Sequence, residues 1–290
     1  MNVQSENAYI NSPEAWNIPL SQVTWSVLDT ETTGISPRYG HRVCQFALYK
    51  GQTGCKDPKR LYCHINPCRK VDPKAGQIHG LSDDFLSTMP PFPKIAHIIE
   101  RELDNTVIVG HNVNFDLKFL AMEFRRAGRK SPRIVAIDTL VLAKAWLDLP
   151  NYKLTTIAEA MELDFGAHNA MEDTRATWLL WDAMVEKMGS QVETLDKLLL
   201  VQGGAILWPS EDWGKYSSTL RDALYDKNKI TFMYVNKQGS SRRIWGCPVD
   251  AMDGVLQIEV GDKGDVLTLT VDSMSEIEEA SGYNARTRGW

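Results

Sequence analysis

The stretch Thr24-Trp25-Ser26-Val27-Leu28-Asp29-Thr30-Glu31-Thr32-Thr33-Gly34 decides how the first half of this 290-residue chain is read. Its apolar start, Thr24 to Leu28, predicts a short strand, and the polar residues that follow predict the strand's end and a turn. Side chains alternate along a strand, so Asp29 and Glu31 fall on the same face. Two carboxylates crowded together cost energy unless a proton or a cation compensates them, and a hard divalent ion held by oxygen ligands supplies that compensation. Taken alone, the hexapeptide 29–34 would also suit a solvated strand end.

Outward from this stretch, Arg42 to Tyr49 and Leu61 to Ile65 read as partner strands in a meander. Pro93 to Leu103 has helical spacing, Val107 to Gly110 is a short buried strand, and Phe115 to Ala127 is a helix with Gly128 at its C-terminal cap. Ile134 to Ile137 adds a strand, and Thr139 to Leu147, Leu154 to Met161 and Met171 to Met188 add helices. The order βββαβαβα predicts an α/β fold, a mixed sheet flanked by helices. Gly189-Ser190 predicts a boundary, giving a first domain over 20–189, a linker helix within 190–212 and a small β-barrel over 213–290. The barrel is expected from a helical stretch at Thr219 to Tyr225 and strands at Ile230 to Val235, Arg243 to Pro248, Val255 to Val260 and Val266 to Val271.

Two further stretches add acids to the first pair. His111-Asn112-Val113-Asn114-Phe115-Asp116 lies where a strand passes into a helix, near the sheet end that holds Asp29. His168-Asn169-Ala170-Met171-Glu172-Asp173 opens the long helix. Asp116 and Asp173 would each suit a helix start on dipole grounds. Order, spacing and context together point to one site instead.

In this combination the sequence resembles the DEDDh, or DnaQ-like, 3′-5′ exonucleases, the group containing the proofreading subunit of bacterial DNA polymerase III and ribonuclease T. The first family motif matches Asp29-Thr30-Glu31, the second matches through Asp116, and the third, His-x-Ala-x-x-Asp, matches His168, Ala170 and Asp173. Ile65-Asn66-Pro67, Asp72-Pro73, Ile78 to Asp83 and Asp138-Thr139-Leu140 extend the likeness across Val23 to Met188. It implies a ribonuclease H-like fold and hydrolysis of nucleic-acid phosphodiesters with two Mg²⁺ or Mn²⁺ ions. It also implies Asp29, Glu31 and Asp173 as ligands of one ion, Asp29 and Asp116 toward the second, and His168 as the base. Thr32, Thr33, Gly34 and Ile35 would line the pocket for the last base of a single-stranded DNA or RNA 3′ end. His79 either faces the same pocket or packs locally in its turn, and His111 is read as structural. The second half resembles WYL domains, Sm-like barrels, through Ile230 to Tyr234, Arg242-Arg243, Pro248 and Leu267 to Val271, without a contiguous Trp-Tyr-Leu. A protein partner or small ligand for that barrel is the accompanying expectation.

Composition is consistent with these readings. A net charge of −5 argues against a protein held on DNA by bulk electrostatics, although Arg125, Arg126, Arg129, Lys130 and Arg133 form a local basic run. Five cysteines, an odd number, predict free thiols in a reducing compartment. Cys55, Cys63, His64 and Cys68 lack the paired C-x-x-C spacing of zinc sites. No apolar run approaches a membrane span, and Met1 to Asn11 lacks the pattern of a secretory signal, so a soluble cytoplasmic protein is expected. Two other classes compete. One is a nucleotide or nucleic-acid sensor on the same scaffold, which would need no full acid set. The other is an accessory protein using Trp178, Trp181 and Leu198 to Val201 as a partner surface.

Overall fold

The computed structural model describes residues 15–129, 134–162, 169–209, 216–226, 228–236, 238–252, 254–261 and 265–280. The chain divides into two compact units, one of residues 1–37 and 41–209 and the other of 38–40 and 210–290. In the first unit, β1 (Trp25–Thr32), β2 (Val43–Gly51), β3 (Lys59–His64), β4 (Val107–Gly110), β5 (Val135–Asp138) and β6 (Ile206–Leu207) form one sheet in the order β3-β2-β1-β4-β5-β6. The pairs β1–β4 and β4–β5 are parallel, and the others are antiparallel. This is the expected mixed sheet flanked by helices.

Helices cover both faces of this sheet. On one face, Trp25, Val27, Tyr49, Val109 and Ile137 pack against Trp178, Trp181 and Met184 of α7 (Ala170–Met188). Trp25 and Trp181 meet edge to face with ring centroids 4.7 Å apart. On the other face, Leu28, Phe46, Leu48 and Ile108 pack against Phe92, Ile95 and Ile99 of α3 (Phe92–Leu103) and Leu117, Leu120 and Phe124 of α4 (Asn114–Arg126). Burial on both sides explains why β1 and β2 read as apolar runs and not as alternating ones. Pairing with β2 carries β1 past Leu28 to Thr32, placing Asp29 opposite Ala47 and Glu31 opposite Gln45.

Three helices follow β5: α5 (Thr139–Trp146), α6 (Leu154–Ala160) and α7. The stretch expected as a linker helix runs as α8 (Leu195–Gln202) and packs into the first unit. Leu195, Leu198 and Leu199 are buried in the α7-side core, while Leu200 is 78% exposed. Gln202 Oε1 accepts from the Asp138 amide at 2.7 Å, and β6 pairs with β5. Two short helices, α1 (Pro73–His79) and α2 (Asp83–Ser87), lie where the sequence reading placed no element. Asp72 caps α1 through the Lys74 amide and Pro73 opens it, an arrangement that needs no apolar period.

The second unit holds α9 (Ser218–Asp226), β7 (Ile230–Val235), β8 (Ser241–Met252), β9 (Val255–Val260), β10 (Asp265–Thr270) and β11 (Met274–Glu279). The strands form an antiparallel sheet in the order β10-β9-β8-β7-β11. Its core is Leu220, Phe232, Ile244, Leu256, Ile258 and their neighbours. The expected closed barrel is not what the described residues form: β10 and β11 stand at opposite edges, so the sheet is open. β8 is twice its neighbours' length, pairing through Gly246 with β7 and from Cys247 with β9. A side chain at Gly246 would meet the Glu259 carbonyl at 2.4 Å, so the close approach at this changeover requires glycine.

Candidate active site

Strand alternation and one helix start assemble an acid cluster. Asp29 and Glu31 project from β1 toward the α7 face, and α7 begins beside them. Asn169 caps α7, its Oδ1 accepting from the Met171 amide at 2.9 Å, and the Asp173 amide donates to the Asn169 carbonyl at 2.9 Å. Asp173 thus sits one turn into the helix. Carboxylate oxygens of Asp29, Glu31 and Asp173 lie within 4.8 Å of one another, and all three residues are half-buried. Asp116, in the first turn of α4, is buried and accepts from Thr30 Oγ1 at 2.7 Å. It stands outside the 4.8 Å group, yet its charge acts on both Asp29 and Glu31.

Crowding of these acids has an electrostatic signature. Burial, then the charges of Asp116, Glu31 and Asp173, holds the Asp29 carboxyl well above the usual range. Burial, with Asp173 and Asp116, pushes Glu31 up to about 7. Burial raises Asp116 to about 7, against the Thr30 hydrogen bond that favours its anion. Such a group fits a hard divalent cation: every donor is oxygen, and a cation would relieve the repulsion that raises these values. Among the described residues this is the acid, cysteine or histidine group able to hold a metal. Cys55, Cys63, His64 and Cys68 do not converge, and the five cysteines are free.

The remaining expected site residues divide by exposure. His168 lies outside the described residues. Thr32 and Thr33 are buried, and their hydroxyls serve the turn itself: Thr32 Oγ1 donates to the Gly34 carbonyl at 2.7 Å, and Thr33 Oγ1 accepts from the Arg42 amide at 3.0 Å. Gly34 packs so closely on His41 that a side chain there would meet the imidazole at 2.2 Å. Ile35 is 84% exposed at the head of this loop. His79 Nδ1 accepts from the Leu81 amide at 3.1 Å, and its ring lies 3.9 Å from Cys44 Sγ. Burial lowers its pKa, opposed by a hydrogen bond to the Thr32 backbone, so His79 joins α1 to the end of β1. His111 bridges Thr139 Oγ1 at 3.0 Å and the Tyr152 carbonyl at 2.9 Å, a structural role.

Two buried polar residues escaped the sequence reading. Glu123 receives Arg42 Nε at 2.6 Å, Arg42 Nη2 at 2.7 Å and the Val43 amide at 3.2 Å, anchoring the loop between β1 and β2 to α4. Arg126 from the basic run donates to the His41 carbonyl in the same loop, and Arg129 pairs with Glu100. The other is Gln45, 1% exposed in the centre of β2. An acid among the inward residues of a helix and an amide inside an apolar strand were the available signals.

The family model for Exonuclease, RNase_T, matches residues 26–180, more than half of the chain. DNA polymerase III subunit epsilon of Rickettsia typhi is 29% identical over 185 residues, covering 61% of this chain and 81% of that protein. The corresponding subunit of Rickettsia conorii is 31% identical over 59% of this chain and 76% of its own length. The 3′-5′ exonuclease DinG of Bacillus subtilis is 31% identical over 56% of this chain but only 18% of that protein. In fold, the chain is similar to the nuclease domain of 3′hExo, a DEDDh family member bound to rAMP, with a TM-score of 0.51, 16% identity and coverage of 59% and 95% of the two chains. It is also similar to E. coli exonuclease I in complex with single-stranded DNA, with a TM-score of 0.53, 17% identity and coverage of 89% and 65%. Motifs, acid cluster and relatives agree, and the chain belongs to the exonuclease family as a DnaQ-like 3′-5′ exonuclease.

Proposed function

We propose that this chain uses two Mg²⁺ or Mn²⁺ ions to release nucleoside monophosphates from the 3′ end of single-stranded nucleic acid, with DNA favoured over RNA. The observation that carries the reading is the convergence of Asp29, Glu31 and Asp173 oxygens within 4.8 Å. Bound divalent ions supply an activated water and charge stabilisation for a leaving 3′ oxygen. Asp29, Glu31 and Asp173 would hold one ion, and Asp29 and Asp116 would support the second. His168, the residue before the Asn169 cap, takes the proton of the attacking water, the usual work of an imidazole base. Ile35 offers an exposed apolar surface to the terminal base, because stacking on such groups tolerates any base. Thr32, Thr33, Gly34 and His79 then shape the pocket by holding that loop. A DNA substrate is favoured because the similar polymerase subunits are named for DNA synthesis and exonuclease I was seen with single-stranded DNA.

In this reading the catalytic domain spans 20–189, extended by α8 and β6, and the second unit is a small WYL-like module that docks substrate, a protein or a small ligand. No described helix is long and apolar enough to cross a membrane, and we place the protein in the cytoplasm. The test uses end-labelled single strands of DNA and RNA with Mg²⁺ or Mn²⁺. Wild type should shorten them one nucleotide at a time from the 3′ end, and Asp29→Ala or Asp173→Ala should remove at least about 10³-fold of the rate, several kcal/mol of barrier stabilisation. Either variant within about tenfold of wild type would refute the ligand assignment.

A further inference from the structure

α7 delivers Asp173, so whatever fixes the start of α7 bears on where that carboxylate stands. One residue of the sheet contacts this start directly. Gln45 lies opposite Glu31 on one side and His64 on the other, in a row across β1, β2 and β3. Its Oε1 accepts from the Ala170 amide at 2.9 Å, the first residue of α7. A backbone amide only donates, which fixes the amide's orientation and turns Nε2 toward Tyr62 Oη at 2.6 Å and His64 Nε2 at 3.0 Å. Tyr62 Oη in turn receives Asn169 Nδ2 at 3.5 Å. Facing an amide donor, His64 Nε2 is an acceptor, and the Phe85 ring packs edge-on against the imidazole at 4.9 Å. The first residue of α7 is thus joined to β2 through Gln45, 1% exposed, and the cap to β3 through Tyr62.

We infer that Gln45 is a positioning residue for the exonuclease reaction, holding the start of α7 in register with Glu31 so that Asp173 enters the site from a fixed point. The inference rests on the assignment of Asp173 above. A polar side chain buried in a strand needs partners, and here Oε1 is given to the helix that carries Asp173 while Nε2 is held by β3. Loss of the Ala170 contact frees the helix start to shift against β1. The loop bearing Ile35, held instead by Glu123 and Arg42, is left in place.

That separation gives the test. Gln45→Met keeps length and apolar bulk but cannot accept from Ala170. On a 3′-labelled single strand, kcat should fall roughly 10- to 100-fold, as expected for a sub-ångström to ångström misplacement. The metal concentration giving half-maximal rate should rise, with KM within about threefold of wild type. Gln45→Glu retains an acceptor for the Ala170 amide but adds a carboxylate opposite Glu31, so it should recover kcat only in part, to a value above that of Gln45→Met. Melting temperatures establish that both variants are folded. If Gln45→Met does not fold, Tyr62→Phe, which removes one partner of the same amide, should show the same kcat and metal shifts in smaller measure, and unchanged values there would overturn the idea. So would a folded Gln45→Met with wild-type kcat and metal dependence, or a Gln45→Glu no better than Gln45→Met. A wild-type protein inactive with every metal would overturn the proposed function and, with it, this inference, an outcome distinct from an active wild type with indifferent variants.

Discussion

Glu31→Gln should stabilise the metal-free protein while removing activity, and the size of that gain follows from the crowding at the end of β1. The Glu31 carboxyl is raised from 4.5 to about 7, with burial the largest cause and Asp173 and Asp116 next. Between those two values the folded state holds a proton that the unfolded chain has released. Stability therefore falls as pH rises through this window, is undiminished below about 4.5, and carries the full penalty above about 7. A shift of about 2.5 units corresponds to roughly 3 kcal/mol, and partial solvent access reduces it to about 1–3 kcal/mol. Gln mimics the protonated acid and also relieves Asp29, which feels the Glu31 charge. Denaturant titrations in chelator should show wild type and Glu31→Gln converging near pH 4.5 and the variant ahead by about 1–3 kcal/mol at pH 8. Adding Mg²⁺ or Mn²⁺ should then stabilise wild type far more than the variant. A variant no more stable than wild type at pH 8 in chelator would refute the argument that the acids are held together against their repulsion.

Replacing His168 by Ala should lower turnover roughly 10²–10⁴-fold and remove the acidic limb of the pH–rate profile, and a retained limb would assign the base elsewhere. Glu123→Leu leaves the Arg42 guanidinium and the Val43 amide without their acceptor, so unfolding free energy should drop by about 3–5 kcal/mol, read by denaturation. A chain ending at residue 209 keeps α8 and β6 and should still degrade short single strands. One ending at residue 189 loses the buried Leu195, Leu198 and Leu199, each worth about 1.5–3 kcal/mol, and should be insoluble or inactive. If the second unit contributes phosphate contacts, the full chain should show a steeper salt dependence than the chain ending at residue 209, and equal slopes would remove that role.

The acid cluster was legible because its members occupy positions with fixed geometry: alternate residues of a strand for Asp29 and Glu31, and first helical turns for Asp116 and Asp173. The same holds for the sheet, since apolar runs such as Val107 to Gly110 have one reading when flanked by helical periods. What escaped depends on tertiary pairing. β6 has two residues and exists because β5 offers an edge, β11 carries the polar run Ser275-Glu276 and Glu278-Glu279, and α1 owes its start to Asp72 and Pro73. Val192 to Val201 was apolar enough to suggest a helix, yet nothing in its period said which core it joins. Glu123 and Gln45 were invisible as site residues because their partners, Arg42 and Ala170, lie 81 and 125 positions away.

The edge-to-face pair of Trp25 and Trp181 gives the protein a built-in optical gauge. Trp25 stands four positions before Asp29 on β1, and Trp181 two turns beyond Asp173 on α7, so the two indoles join the same two elements as the acids. Indoles this close couple their transition dipoles and split into an exciton couplet in circular dichroism. Its amplitude falls steeply with separation and with the angle between the rings. The couplet therefore follows the docking of α7 on β1 directly, without a label, through chelation, pH change or substitution at the sheet.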